Sequence, residues 1–226
     1  MFYFVIISLY YVYIFSAKLN ERLLRESELK ALVKEAELRS LKFQLNPHFI
    51  FNSLNSLNSL TLSDPERASE MTVKLGDYLR TTLSRTDKQK STLGEELDSA
   101  RLYVDIEKVR FGDKIDYRED IGSNCLDLAV PSMIIQPLLE NAIKHGVYES
   151  LAKVTIKVTA RKNGRFLKLN VENNFDPEAV PREGDGIGLR NVRERLEKMY
   201  NRFNLVDIEN SGDSFSVKLM IPLEEN

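Results

Sequence analysis

Hydrophobic and polar positions change their rhythm several times along this chain, and each change marks an element. Phe2 to Ala17 is an uncharged apolar run, with Lys18, Arg22 and Arg25 close behind. Crossing a bilayer takes ~20 apolar residues, and basic residues gather on the cytoplasmic side, so this run reads as a membrane segment with the remainder of the chain in the cytoplasm. Residues 18 to about 46 hold good helix formers without Gly or Pro, and Leu38, Leu41, Leu45 and Phe49 recur at spacings of three and four. That rhythm predicts a long helix with one face suited to a partner helix. Past Pro47, a threefold Asn-Ser-Leu repeat places Leu54, Leu57 and Leu60 along a slowly turning stripe. Ser63 and Asp64 before Pro65 predict a new helix start, with Met71, Leu75, Tyr78, Leu79 and Leu83 on the apolar face over 65–85. The two segments form a predicted helical hairpin.

After the polar stretch Thr86 to Ser91, a helix is expected from about Leu93 to Val109. The pattern then alternates in type. Strands are expected near 114–120, 153–161, 165–172, 203–209 and 213–221, with Asn163-Gly164 and Ser211-Gly212 as turn pairs, and helices near 132–145 and 188–200. The fold class is therefore α+β, a mixed sheet with helices on one face behind a helical hairpin. The expected division is a membrane segment at 1–17, hairpin helices at 18–90 and an α/β domain at 91–226.

Composition narrows the chemistry. The 226 residues carry 32 Lys plus Arg against 34 Asp plus Glu, a formal charge of -2, which offers no field for nucleic acid. A lone Cys125 excludes an internal disulfide, and the only histidines are His48 and His145.

Three stretches stand out. Gly184, Gly186 and Gly188 alternate before a helix carrying Leu189 and Asn191, where glycines permit close backbone approach and a helix N-terminus attracts phosphate. The spacing is neither the dinucleotide fingerprint nor a Walker loop. In PSMIIQPLLENAIKHG, Glu140, Asn141, Lys144 and His145 share a short helix; the Asn141 amide oxygen suits Mg²⁺, and Lys144 suits phosphate. An ordinary amphipathic helix would have the same polar edge. In LKFQLNPHFIFNSLNSL, Pro47 breaks the helix beside His48, whose imidazole is a competent phosphoryl acceptor when exposed.

Together these stretches closely resemble the LytS-type sensor histidine kinases, over about residues 38 to 221. The resemblance implies a dimeric helical hairpin followed by a GHKL (Bergerat-type) α/β sandwich that binds ATP with Mg²⁺. His48 matches the phospho-acceptor and Asn52 the asparagine one turn later, while Asn141 matches the Mg²⁺-binding asparagine, with Glu140, Lys144 and His145 beside it. Gly184, Gly186, Gly188, Leu189 and Asn191 match the glycine-rich box. A homodimer in the bacterial inner membrane, with a response regulator as partner, is implied.

The match departs at Val171 to Phe175: Asn173 stands where relatives carry an adenine-reading aspartate, and Phe175 where they carry glycine. Asparagine lacks the charge assistance of a carboxylate. A nucleotide-poor signalling scaffold of the same fold is the alternative. Phe49 follows His48 where an acid would supply a general base, and Glu140 is the expected substitute.

Overall fold

The computed structural model describes residues 3, 15, 18–19, 21–22, 24–27, 29–30, 46–85, 88–148, 150, 152–175 and 187–223. Apart from Tyr3 and Phe15, the expected membrane run lies outside these residues, as do the Leu38–Leu45 stripe and the glycines 184 and 186. No helix among the described residues is long and apolar enough to cross a membrane. The chain divides into two compact units, Met1–Pro47 and His48–Asn226. In the first, the described residues from 18 to 30 are helical, with exposed Arg25–Glu21 and Lys30–Glu26 pairs one turn apart.

Helix α1, Pro47–Ser63, and helix α2, Pro65–Arg85, make the hairpin. Asp64 stops one helix and starts the next: its backbone N–H donates to Leu60 O, and its carboxylate accepts from Arg67 N at 3.1 Å. α2 packs on helix α3, Leu93–Phe111. Thr92 and Glu95 close a capping box at the start of α3, and Gly112, at φ 58°, ends it.

The five-stranded sheet holds β2 (Ile115–Ile121), β4 (Val154–Asn163), β5 (Phe166–Asn174), β6 (Val206–Ser211) and β7 (Ser214–Pro222) in the order β2-β4-β5-β7-β6. Only β2–β4 is parallel, which makes the sheet mixed as expected. Alternation sets its inner face. Ile156, Val158 and Ala160 on β4, Leu167, Leu169 and Val171 on β5, and Val217, Leu219 and Ile221 on β7 are all buried. A short antiparallel ladder, β1 (Lys90–Thr92) with β3 (Ala129–Pro131), is an addition to the predicted elements; three-residue strands leave too little alternation to read.

One predicted helix is displaced. Expected over 132–145, helix α4 runs Gln136–Ala142 and continues as a π-turn through Ile143–Val147. Met133 stands at φ 58°, a conformation that no helix contains, so the helix starts beyond it. The N–H groups there turn to Glu96 of α3, a buried carboxylate accepting from Met133 N and Ile134 N at 2.8 Å and from Ser91 Oγ at 2.7 Å. Helix α5, Ile187–Tyr200, buries Val192 and Leu196 against the core and packs on α4.

Candidate phosphoryl-acceptor site

His48 occupies the first turn of α1, exposed, while the next residue, Phe49, is 2% exposed. The contrast fixes the histidine. Phe49 inserts between Tyr78 of α2 and Tyr103 of α3, with ring centroids 5.0 and 4.8 Å away, so the backbone beside His48 is anchored by an aromatic cluster. The predicted companion Asn52 is one turn along: its Nδ2 lies 3.1 Å from His48 Nε2 and 3.2 Å from Nδ1.

A second element meets this pair. Tyr148, directly after the π-turn, has its ring 6.3 Å from the imidazole, and its hydroxyl accepts from Asn52 Nδ2 at 3.5 Å. That hydroxyl also accepts from Arg110 Nη1 at 2.6 Å, and Arg110 pairs with Glu107 Oε2 at 2.9 Å. Arg110 lies over the rings of Phe111 and Tyr148, and Phe111 meets Tyr148 edge to face. Burial pushes the Glu107 carboxyl up to about 7 against the opposing pull of Arg110. Glu107, Arg110 and Tyr148 were not predicted from the sequence. The Glu107/Arg110 spacing of three was a readable sign of an ion pair, but its partner lies 38 residues away.

The other predicted residues distribute as follows. Glu140, half-buried on α4, accepts from Gln136 Nε2 at 2.9 Å, and Gln136 also donates to Tyr78 Oη at 2.6 Å. Burial first, and then the Glu140 charge, push the Tyr78 and Tyr103 hydroxyls upward. Asn141 and His145 are half-buried and Lys144 exposed, all at the end of α4. Asn173 ends the inward row of β5 and is 2% exposed. It lies against Gly146 of the π-turn, where an added Cβ would stand 2.9 Å from Asn173 Nδ2. Its Nδ2 donates to Asn174 O at 3.2 Å. Gly188 and Leu189 form the first turn of α5, and Asn191 lines an open groove of about 740 Å³ with Lys88, Gln89, Arg195 and Lys198. The α4 residues do not line that groove. Arg195, whose pKa burial lowers, ties α5 to the segment between β3 and α4 by donating to Ser132 O at 2.5 Å.

An anchored, exposed histidine thus lies beside the end of a helix bearing asparagine and lysine. Residues 36–115 match the family model described as histidine kinase. The sensor histidine kinase YpdA of Escherichia coli K12 is 33% identical over 185 residues, covering 78% of this chain and 33% of that protein. The sensor protein LytS of Staphylococcus haemolyticus is 32% identical over 222 residues, 92% of this chain and 38% of that one. The chain is similar to LytS-type sensor histidine kinases over most of its own length, and it spans about a third of the length of these curated relatives. Among solved structures, the histidine kinase AdeS of Acinetobacter baumannii is 13% identical with a TM-score of 0.45, covering 78% of this chain and 96% of that one.

Proposed function

We propose that this chain is the kinase end of a membrane-bound sensor that phosphorylates His48 from ATP and passes the phosphoryl group to a response regulator. The observation that carries the reading is His48 itself, solvent-accessible yet fixed by buried Phe49 beside the end of α4. In this reaction a ring-nitrogen lone pair forms the N–P bond, the γ-phosphorus to oxygen bond breaks with its electrons leaving on ADP, and the proton on the other ring nitrogen departs to a base, the role expected of Glu140. Proximity and orientation supply most of the rate.

The donor set fits Mg²⁺. Asn141 offers one hard amide oxygen at a half-buried position, and a cation that keeps waters and takes phosphate oxygens needs few protein ligands. Bound there, Mg²⁺ would neutralise phosphate charge. Lys144 and His145 would hold phosphate oxygens, and Gly184, Gly186, Gly188, Leu189 and Asn191 would line the nucleotide. Asn173, its Nδ2 held by Asn174 O, would turn its oxygen to adenine as an acceptor. Residues 18–90 would form the dimer hairpin and 91–226 the ATP-binding domain behind a membrane segment at 1–17. Exposed Phe51, Leu54, Leu62 and Val73 on α1 and α2 support pairing with a second copy.

The test is incubation with γ-labelled ATP and Mg²⁺ beside a His48→Gln variant. Acid-labile, alkali-stable label that disappears in the variant is the expected result; a folded dimer that takes no label refutes kinase activity and supports the nucleotide-poor scaffold that Asn173 allows.

A further inference from the structure

No acid follows His48 in the chain, and the structure supplies a different attachment. An amide nitrogen nearly equidistant from both ring nitrogens, at 3.1 and 3.2 Å, cannot lie in the imidazole plane without overlapping the carbon between them. Asn52 therefore sits over the ring face. It restrains the ring plane while leaving the in-plane lone pair open for attack, whereas an in-plane amide donor would occupy that lone pair. A half-buried carboxamide on a helix turn still has several rotamers, and a second contact selects one of them. That contact is Tyr148 Oη at 3.5 Å.

Tyr148 is itself fixed on two sides. Arg110 donates to its hydroxyl at 2.6 Å, and its ring rests edge-on against Phe111 at 5.0 Å. Arg110 is fixed in turn by Glu107, whose side chain is 1% exposed. The order runs from a buried carboxylate outward to the exposed imidazole, through α3, then the residue after α4, then α1. Each member is better anchored than the next.

We propose that Tyr148, braced by Arg110 and Glu107, is a positioning residue that holds Asn52 over the His48 ring of the same chain and so presents the attacking nitrogen. The proposal deepens the kinase reading and rests on it for its rate arm; its spectroscopic arm is independent of catalysis. The two histidines of the sequence make the ring signals separable, since His48→Gln identifies which belong to His48.

The experiment uses the whole chain with ¹⁵N in its histidine rings, as wild type and as Tyr148→Phe, which keeps the ring on Phe111 and removes only the hydroxyl. The expected result is that the His48 ring-nitrogen signals move toward those of free imidazole, the autophosphorylation kcat falls about tenfold, and KM for ATP and affinity for a non-hydrolysable analogue stay within about twofold. Ring signals that do not move overturn the proposal, as does an unchanged kcat, or an analogue affinity that falls in step with kcat. A wild type that takes no label defeats the kinase reading instead, and the ring signals then decide the positioning by themselves.

Discussion

Glu107 is a carboxylate with 1% of its side chain exposed, and its titration provides a sharp quantitative test of the network behind Tyr148. Its pKa rises from an ordinary 4.5 to about 7, because burial disfavours the charge more than Arg110 favours it, with the Glu140 charge adding to the rise. A folded-state pKa above the unfolded one means that the protonated form is favoured in the fold. The associated stability is fully present below pH 4.5 and is lost as pH rises through about 7. At roughly 1.4 kcal/mol per pH unit the whole effect is about 3 kcal/mol, most of which falls between pH 5 and 8. Glu107→Gln keeps an oxygen acceptor for Arg110 Nη1 and removes the titration. Urea unfolding of both proteins at pH 5 and pH 8 therefore isolates this residue, because every other group is common to both. The wild type should lose about 2–3 kcal/mol more than the variant over that span, about 1 M in urea midpoint for an m-value of about 2 kcal/mol/M. Equal pH dependence in the two proteins would refute the argument that burial dominates over the arginine.

Three further predictions concern packing and helix propensity. Phe49→Ala empties the slot between Tyr78 and Tyr103 and should cost about 3–5 kcal/mol, measured by the unfolding midpoint, together with loss of label on His48 as its anchor goes. Gly146→Ala drives a methyl to within 2.9 Å of Asn173 Nδ2 and 3.1 Å of Val154 Cγ1, and should destabilise by about 1–3 kcal/mol. Gly76→Ala, in α2 with nothing within 4 Å of its Cβ, should instead stabilise by about 0.5–1 kcal/mol by calorimetry.

Periodicity carried the large elements well: the β4–β5 and β6–β7 hairpins fall within a few residues of their expected positions, and Gly164 and Gly212 take the positive φ expected of their turns. Local rules are visible in sequence because they act between neighbours. The start of α4 was not visible, since Pro131, Met133 and a carboxylate 38 residues earlier on Glu96 decide it together. The capping box at Thr92 and Glu95 was readable and went unread. His48 and Asn52 were legible as a pair one turn apart, whereas Tyr148 is 96 residues from Asn52 and carries no motif of its own.

The wide turn at Ile143–Val147 has a bearing on how this chain tolerates change. A π-turn winds less per residue than an α-turn, so it rotates everything downstream about the helix axis. Here it leaves Val147 inward, at 0% exposure, and brings Tyr148 to Asn52. The length of this segment thus encodes the tyrosine's address as surely as its letters do. Single-residue deletions there exchange which side chain greets the histidine, while most substitutions leave the address intact.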